Sequence, residues 1–367
     1  MKKTLAALII GAFAASAANA AVVYDNEGTK VEVNGSVRLL LEKSNNSGKH
    51  KDDNTGVVTK RHTHTGLKND GSRVEFKVKH NLSSGYYALG NIEVRLDGKD
   101  PVTGDKNTKA DGFGNLNTKR AYIGLGHKER GEVRFGRQVT IADSLVIAND
   151  YSYGLIEKAD YVSNQGNSVI RYDYKGIEGL QLGVGYQFAE DRDEDSLEVT
   201  NKKVQNATQF GALYEKDGVI AKLAFGRTNY QATVADNKKH RDGVLASFGY
   251  EFNNLTLSLD SGYAKAKFVN TDKKETRYFV SPGFQYQVTD LSNVYGNYKY
   301  EQVKDKADKK EKHHGFLLGV DYKLHKQVVA YVEGKYEVTK NYDNKGNYEK
   351  DSKVKDKAIG VGMRVFF

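Results

Sequence analysis

The 367-residue chain has no cysteine, 37 glycines and only two prolines, and its 56 basic and 47 acidic side chains give a formal net charge of +9. These figures exclude a disulfide scaffold, and past the N-terminus no apolar run approaches the ~20 residues of a membrane helix. Hydrophobic content of 38% looks soluble, but a wide barrel needs apolar groups only on its outer face, because its interior is water.

In chain order, Lys2 and Lys3 open a short positive region, residues 5–15 are apolar, and Ala18-Asn19-Ala20 is a small-residue cleavage site. This is the layout of a secretory signal peptide. We expect residues 1–20 to be removed, leaving 21–367 as one domain. From Val31 onward, Val31, Val33, Gly35, Val37, Leu39 and Leu41 alternate with Glu32, Asn34, Ser36, Arg38, Leu40 and Glu42. Period two with one apolar and one charged side marks a strand between lipid and water. The texture returns at Val74, Phe76 and Val78 against Arg73, Glu75 and Lys77, and at Ile92, Val94 and Leu96 against Asn91, Glu93 and Arg95.

Sixteen such segments are predicted, near 30–43, 71–80, 86–97, 118–127, 131–137, 167–175, 180–189, 207–216, 219–230, 242–252, 255–265, 277–287, 293–303, 314–324, 328–339 and 356–367. Short turns such as Asp217-Gly218 and Asn253-Asn254 alternate with long polar stretches such as 44–70, 98–117, 138–166, 190–206 and 340–355. Short turns at one rim and long loops at the other describe an all-β, transmembrane antiparallel β-barrel. Tyr86, Tyr186, Phe188, Tyr250, Phe252, Tyr286, Tyr322 and Phe367 lie near strand ends, where aromatic girdles sit. The final segment, KAIGVGMRVFF, carries an apolar stripe from Ile359 to Phe367; Gly360, Gly362 and Arg364 are expected to face water.

Residues 24–37 (YDNEGTKVEVNGSV) resemble the opening of Gram-negative general-diffusion porins, and 119–138 (KRAYIGLGHKERGEVRFGRQ) resemble their fourth and fifth strands. Gly71-Ser72-Arg73, 167–173 and 277–286 extend the resemblance over 21–367, and it is strongest to the major trimeric porins of Haemophilus-type bacteria. It implies a homotrimer in the outer membrane of a Gram-negative bacterium, with the third long loop, about 138–166, folded into the lumen. It also implies a constriction between acids of that loop (Asp143, Asp150, Glu157, Asp160) and basic wall residues Arg73, Arg120 and Arg171. Alternation adds Arg38, Lys77 and Arg95 to the wall. The loop lacks the P-E-F-G-G motif of the best-known members, so the resemblance does not single out one acid.

The expected function is passive diffusion of small hydrophilic solutes and ions. A sixteen-strand lumen is too wide for side chains to fill, and selectivity then comes from the residues protruding into it. The alternatives are a substrate-specific channel for sugars or phosphorylated nutrients, and a barrel used mainly for surface interaction. Loop cations including Lys49, Lys51, Lys60, Arg61, Lys309, Lys310 and Lys312 would attract the phosphates of outer-membrane lipopolysaccharide. By resemblance, Phe367 is the end that barrel-assembly machinery recognises. His50, Asp52, Asp53, His62 and His64 offer metal-type donors, but a Lys-rich loop without a rigid element beneath it is more often simply solvated. No metal, cofactor, nucleic-acid partner or catalytic activity is expected.

Overall fold

The computed structural model describes residues 21–47, 49–51, 58–60, 66–97, 115–189, 204–231, 238–349 and 352–367. The signal segment 1–20, and Asp52, Asp53, Arg61, His62 and His64 of the first long connection, lie outside the described residues.

The strands are β1 (Ala21–Asn26), β2 (Thr29–Ser47), β3 (Lys49–Lys51), β4 (Val58–Lys60), β5 (Gly66–Asn69), β6 (Arg73–Asn81), β7 (Tyr86–Asp97), β8 (Asn115–His127), β9 (Gly131–Val139) and β10 (Gln165–Ile177). They continue as β11 (Leu180–Gln187), β12 (Val204–Lys216), β13 (Val219–Tyr230), β14 (Lys238–Phe252), β15 (Leu255–Phe268), β16 (Lys274–Thr289), β17 (Ser292–Lys304), β18 (Lys310–His325), β19 (Val328–Tyr342) and β20 (Val354–Phe366). Apart from the small β3–β4 pair, all belong to one antiparallel sheet that closes where β2 meets β20. β5 and β6 are two parts of one stave, interrupted at 70–72, and β1 and β20 share another along one edge of β2, so the barrel has sixteen staves. All sixteen expected segments are present.

The seam joins the two ends of the chain. β20 covers one edge of β2 over Ser36–Ser47, and β1 covers the remainder of that edge, from Thr29 to Val33. Phe367 bridges the gap: its N–H donates to the Gly35 carbonyl at 3.0 Å and its carbonyl accepts from the Gly35 N–H at 2.8 Å. Any side chain at Gly35 would overlap the Phe367 ring.

Alternation decides the two faces. Ile123 (68% exposed), Leu318 (61%) and Phe210 (53%) stand in the outward phase with Phe76, Leu223, Phe248, Leu257, Val361 and Met363. Each such side chain gains about 1.5–3 kcal/mol when removed from water, so this band is stable only in lipid. The Asp217-Gly218 turn shows why one rim is tight: both residues have positive φ (51° and 80°), the backbone that two-residue hairpins require. The opposite rim is less uniformly long than the sequence suggests, since 269–273 and 305–309 are brief connections there.

Two details of the inward phase differ from the expectation. Leu40 is fully buried and packs with Tyr153 and Leu155. Gly360 and Gly362 are covered, the first by Leu40 and the Tyr153 hydroxyl and the second by the Tyr331 ring. They serve close packing, because a methyl group at either position would clash.

Candidate functional site

Register builds a basic row on the inward phase. Arg38 of β2 is the cross-strand partner of Arg364 of β20, Arg73 of β6 partners Arg95 of β7, and Glu93 of β7 partners Arg120 of β8. Three guanidiniums therefore converge on Glu93, which is 2% exposed: Arg95 at 2.5 Å, Arg73 at 3.3 Å and Arg120 at 3.3 Å. Arg38 donates from Nε to Ser36 Oγ at 2.7 Å. Arg364 pairs with Asp70 at 2.8 Å and also donates to the Tyr151 carbonyl. Four guanidiniums (Arg73, Arg95, Arg120, Arg364) thus pair with two carboxylates, Glu93 and Asp70, and Arg38 adds a fifth cation to the row without an ion pair of its own. A buried carboxylate is tolerable only when so paired, and the surplus of cations leaves this wall positive.

The other expected basic residues sit differently. Lys77 is paired with Glu75 at 2.9 Å. Arg171 is 4% exposed, grips Asp173 with two nitrogens at 2.7 and 2.8 Å, and donates to the Val139 carbonyl at 3.1 Å. Arg134 binds the same Asp173. Arg171 therefore holds the wall beneath the connection that follows β9.

That connection, 140–164, lies against the inward-phase residues of β11 through β20. Its neck is closed by the Thr140 N–H and hydroxyl, which donate to the carbonyls of Asn164 and Ser163 at 2.8 Å each. Ile141 lies on Gly183 and Gly211, Val162 on Gly226 and Leu155 on Gly315, and the Tyr161 carbonyl fills the place of a side chain at Gly243. Glycine matters at these positions because it lets the segment approach the wall.

Two fully buried carboxylates then bind its backbone. Asp260 of β15 accepts from the N–H groups of Ile147 (2.8 Å) and Ala148 (3.0 Å). Glu333 of β19 accepts from Tyr151 (2.7 Å), Ser152 (2.8 Å) and Tyr153 (2.7 Å). Hydrogen bonds to a charged acceptor contribute about 1.5–3 kcal/mol each. They hold the chain through Val146, a β-branched residue at φ 81° whose N–H donates to Ser247 Oγ. Near the end of the segment the Tyr161 hydroxyl donates to Glu301 at 2.7 Å, and burial together with Glu301 raises its pKa above the ordinary tyrosine range, so it remains a donor.

The four loop acids separate into two kinds. Asp143 accepts from Asn164 Nδ2 at 3.1 Å and faces Lys158 at 3.7 Å, while Asp160 is paired with Arg277 of β16. Asp150 and Glu157 are exposed and form no ion pair among the described residues, although Lys158 and Arg364 lie close enough to act on the Asp150 charge. Sequence reasoning put Arg364 and Glu93 on the water-facing phase without assigning them to the site, and missed Asp70, Asp260, Glu333 and Glu301. Strand phase alone marks most of them as inward-facing, but their partners lie as many as 294 positions away in the chain. Among the described residues no three His, Asp or Glu side chains gather as a metal site.

A closed sixteen-stave barrel, apolar outside and charged within, is a membrane-spanning channel. The chain belongs to the Gram-negative porin family, whose model matches residues 4–345. It is 33% identical to a major outer membrane protein of Pasteurella multocida (strain Pm70) over the full length of both chains. Among solved structures it resembles OmpT of Vibrio cholerae, in-vitro folded, with TM-score 0.70 and 17% identity over 94% of this chain and 99% of that one. A trimer form of OmpT gives TM-score 0.67 and 16% identity, covering 93% and 100%. An anion-selective porin from Comamonas acidovorans gives TM-score 0.66 and 19% identity, covering 92% and 100%. The protein is an outer-membrane channel for passive diffusion, and family and relatives point to a channel rather than an enzyme.

Proposed function

We propose that residues 140–164 fold into the lumen and narrow it, with the guanidinium row of Arg38, Arg73, Arg95, Arg120 and Arg364 on one side and the exposed Asp150 and Glu157 on the other. The observation that carries this reading is the capture of five consecutive-region N–H groups, from Ile147 to Tyr153, by Asp260 and Glu333 on the inward phase. Opposed charges set a transverse field in which small polar solutes orient, whereas apolar solutes gain nothing and must disturb ordered water. Five cations against two wall carboxylates favour a weak preference for anions. Lys77 and Arg171, already paired, contribute less to that field.

A homotrimer is the accompanying proposal, supported by the trimer form of the Vibrio cholerae neighbour. Removal of residues 1–20 accompanies export, and N-terminal sequencing of the membrane-inserted protein should begin at Ala21. Planar-bilayer recording tests the main reading. Wild-type protein should insert in steps with three ohmic levels, and deletion of 145–160 should raise the conductance of each. An unaltered conductance after the deletion would remove the inward loop from the account.

A further inference from the structure

The stave made of β5 and β6 carries an extra residue. Between the pair Ser36–Arg73 and the pair Leu39–Asn69 the chain advances three residues along β2 but four on the facing side, a bulge of one residue at 70–72. The bulge reverses the strand phase. On β6, Arg73 and Lys77 reach the inward acids Glu93 and Glu75, and Phe76 and Val78 are exposed outside. On β5, Leu67 is exposed outside and Lys68 pairs with Glu42 inside. Odd-numbered residues therefore face inward before the bulge and outward beyond it. A stave that kept the β6 phase would aim Asp70 at lipid; the extra residue turns it into the lumen.

Hydrogen bonds fix this turn on both sides, as backbone polar groups at membrane depth require. The Asp70 N–H donates to the Arg38 carbonyl and the Leu96 N–H to the Ser72 carbonyl, each at 2.9 Å. Ser72 Oγ accepts from the Arg38 N–H, and the Ser72 N–H donates to Asn69 Oδ1, again at 2.9 Å each. Gly71 supplies the left-handed backbone, with φ 76°. Inside the barrel, Asp70 Oδ2 accepts from Arg364 Nη2 at 2.8 Å, from Ser152 Oγ at 3.1 Å and from the Tyr331 hydroxyl at 3.1 Å. Arg364 is the cross-strand partner of Arg38, and among the described residues Asp70 is the carboxylate that pairs with it. Glu93 is already engaged by three other guanidiniums. The Asp70 charge therefore decides whether Arg38 and Arg364 act on the lumen as one net cation or as two.

We propose that Asp70 is a specificity-determining residue of the channel. Turned inward by the bulge, its carboxylate cancels Arg364 and so limits the anion preference of the wall, and it ties the wall to the 140–164 segment through Ser152. The tie rests on the reading that this segment narrows the lumen; the charge effect requires only that Arg364 face the water inside.

The test uses the full-length protein in planar bilayers under a potassium chloride gradient. Asp70→Asn keeps the size and removes the charge, and should raise the ratio of chloride to potassium permeability roughly twofold, the opposite direction to Arg120→Ala. Adding Arg364→Gln should return the ratio to near wild type, which a loss of packing alone would not do. Because the chain has no cysteine, Asp70→Cys also supplies a single thiol. A sulfonate-bearing methanethiosulfonate should bring the ratio of that variant back to wild type, and a trimethylammonium-bearing one should move it further toward chloride. Leu67→Cys, on the lipid face, should respond to neither. An unchanged ratio in Asp70→Asn would overturn the proposal, as would an Asp70→Cys thiol that neither reagent reaches or that shifts the ratio the same way with both. If Asp70→Asn fails to insert, Arg364→Gln alone carries the charge test: it leaves Asp70 unopposed and should shift the ratio toward potassium, and no shift would overturn the proposal. Unaltered conductance on deleting 145–160 would overturn the tie through Ser152, whereas the charge role stands or falls on the permeability ratio.

Discussion

Glu333 on β19 and Tyr151 in the connection after β9 meet at 2.7 Å, through a backbone N–H that no other strand residue satisfies. The same carboxylate accepts from Ser152 and Tyr153 and from the Tyr295 hydroxyl at 2.8 Å. A single side chain thus holds three successive residues of a segment about 180 positions away in sequence. Replacement by glutamine keeps the shape, removes the charge and turns an NH₂ toward N–H donors. Glu333→Gln should weaken this anchorage by about 2–4 kcal/mol, since charged hydrogen bonds are lost and donors are left facing donors. Single-channel traces should then show frequent substates or excess open-channel noise in a barrel that still assembles; a quiet trace at wild-type conductance would remove Glu333 from the anchoring role.

Arg120 contributes one of three guanidiniums around Glu93. With Arg120→Ala, Arg73 and Arg95 still neutralise the carboxylate, so folding persists while the wall loses a positive charge. Under a salt gradient the reversal potential should shift toward cations. No shift would mean that Arg120 does not act on the permeating ions.

Gly243 tests how closely the segment must approach the wall. A methyl group there overlaps the Tyr161 carbonyl, and Tyr161 is the residue whose hydroxyl reaches Glu301. Gly243→Ala should cost about 1–3 kcal/mol through overpacking. The temperature at which the folded barrel converts to the unfolded form in gel assays should fall, whereas Gly66→Ala, with nothing nearby to clash, should leave it unchanged.

Leu318 lies mid-strand on the exposed outward phase. An arginine at the bilayer midplane costs about 2–4 kcal/mol, so Leu318→Arg should lower the denaturant midpoint of lipid-reconstituted protein by a corresponding amount. Loss of the effect in water-soluble micelles too thin to enclose the belt would confirm that lipid, rather than packing, is what Leu318 meets.

Phe367 pairs with Gly35 across the seam and packs its ring on it. Deleting Phe367 should reduce the fraction of barrels inserted in cells several-fold while leaving the conductance of inserted ones near wild type. Normal insertion would refute an assembly role for this residue.

Much of the barrel is legible in the chain because strand phase is a local property. Val37 and Leu41 alternating with Arg38 and Glu42 already distinguish lipid from water, and Asp217-Gly218 already specifies its turn, since each depends on neighbours within a few residues. The site is legible only in part. Arg38, Arg73, Arg95 and Arg120 could be placed on the inward phase, but their convergence depends on register between strands, which sets Glu93 among them. Arg171 shares their phase, but Asp173 and the Val139 carbonyl engage it.

What the sequence determined by itself was therefore the number of staves, their faces and the rim at which each connection lies, because periodicity and turn chemistry act over short spans. The tertiary structure alone decided which charges are paired and which are left exposed. Asp143 and Asp160 form ion pairs and, among the described residues, Asp150 and Glu157 do not, although all four look alike in the sequence. The reason is physical: closing the barrel brings Asp260, Glu301 and Glu333 to a segment between 112 and 182 residues distant, and such contacts exist only once the sheet has met itself at β2 and β20.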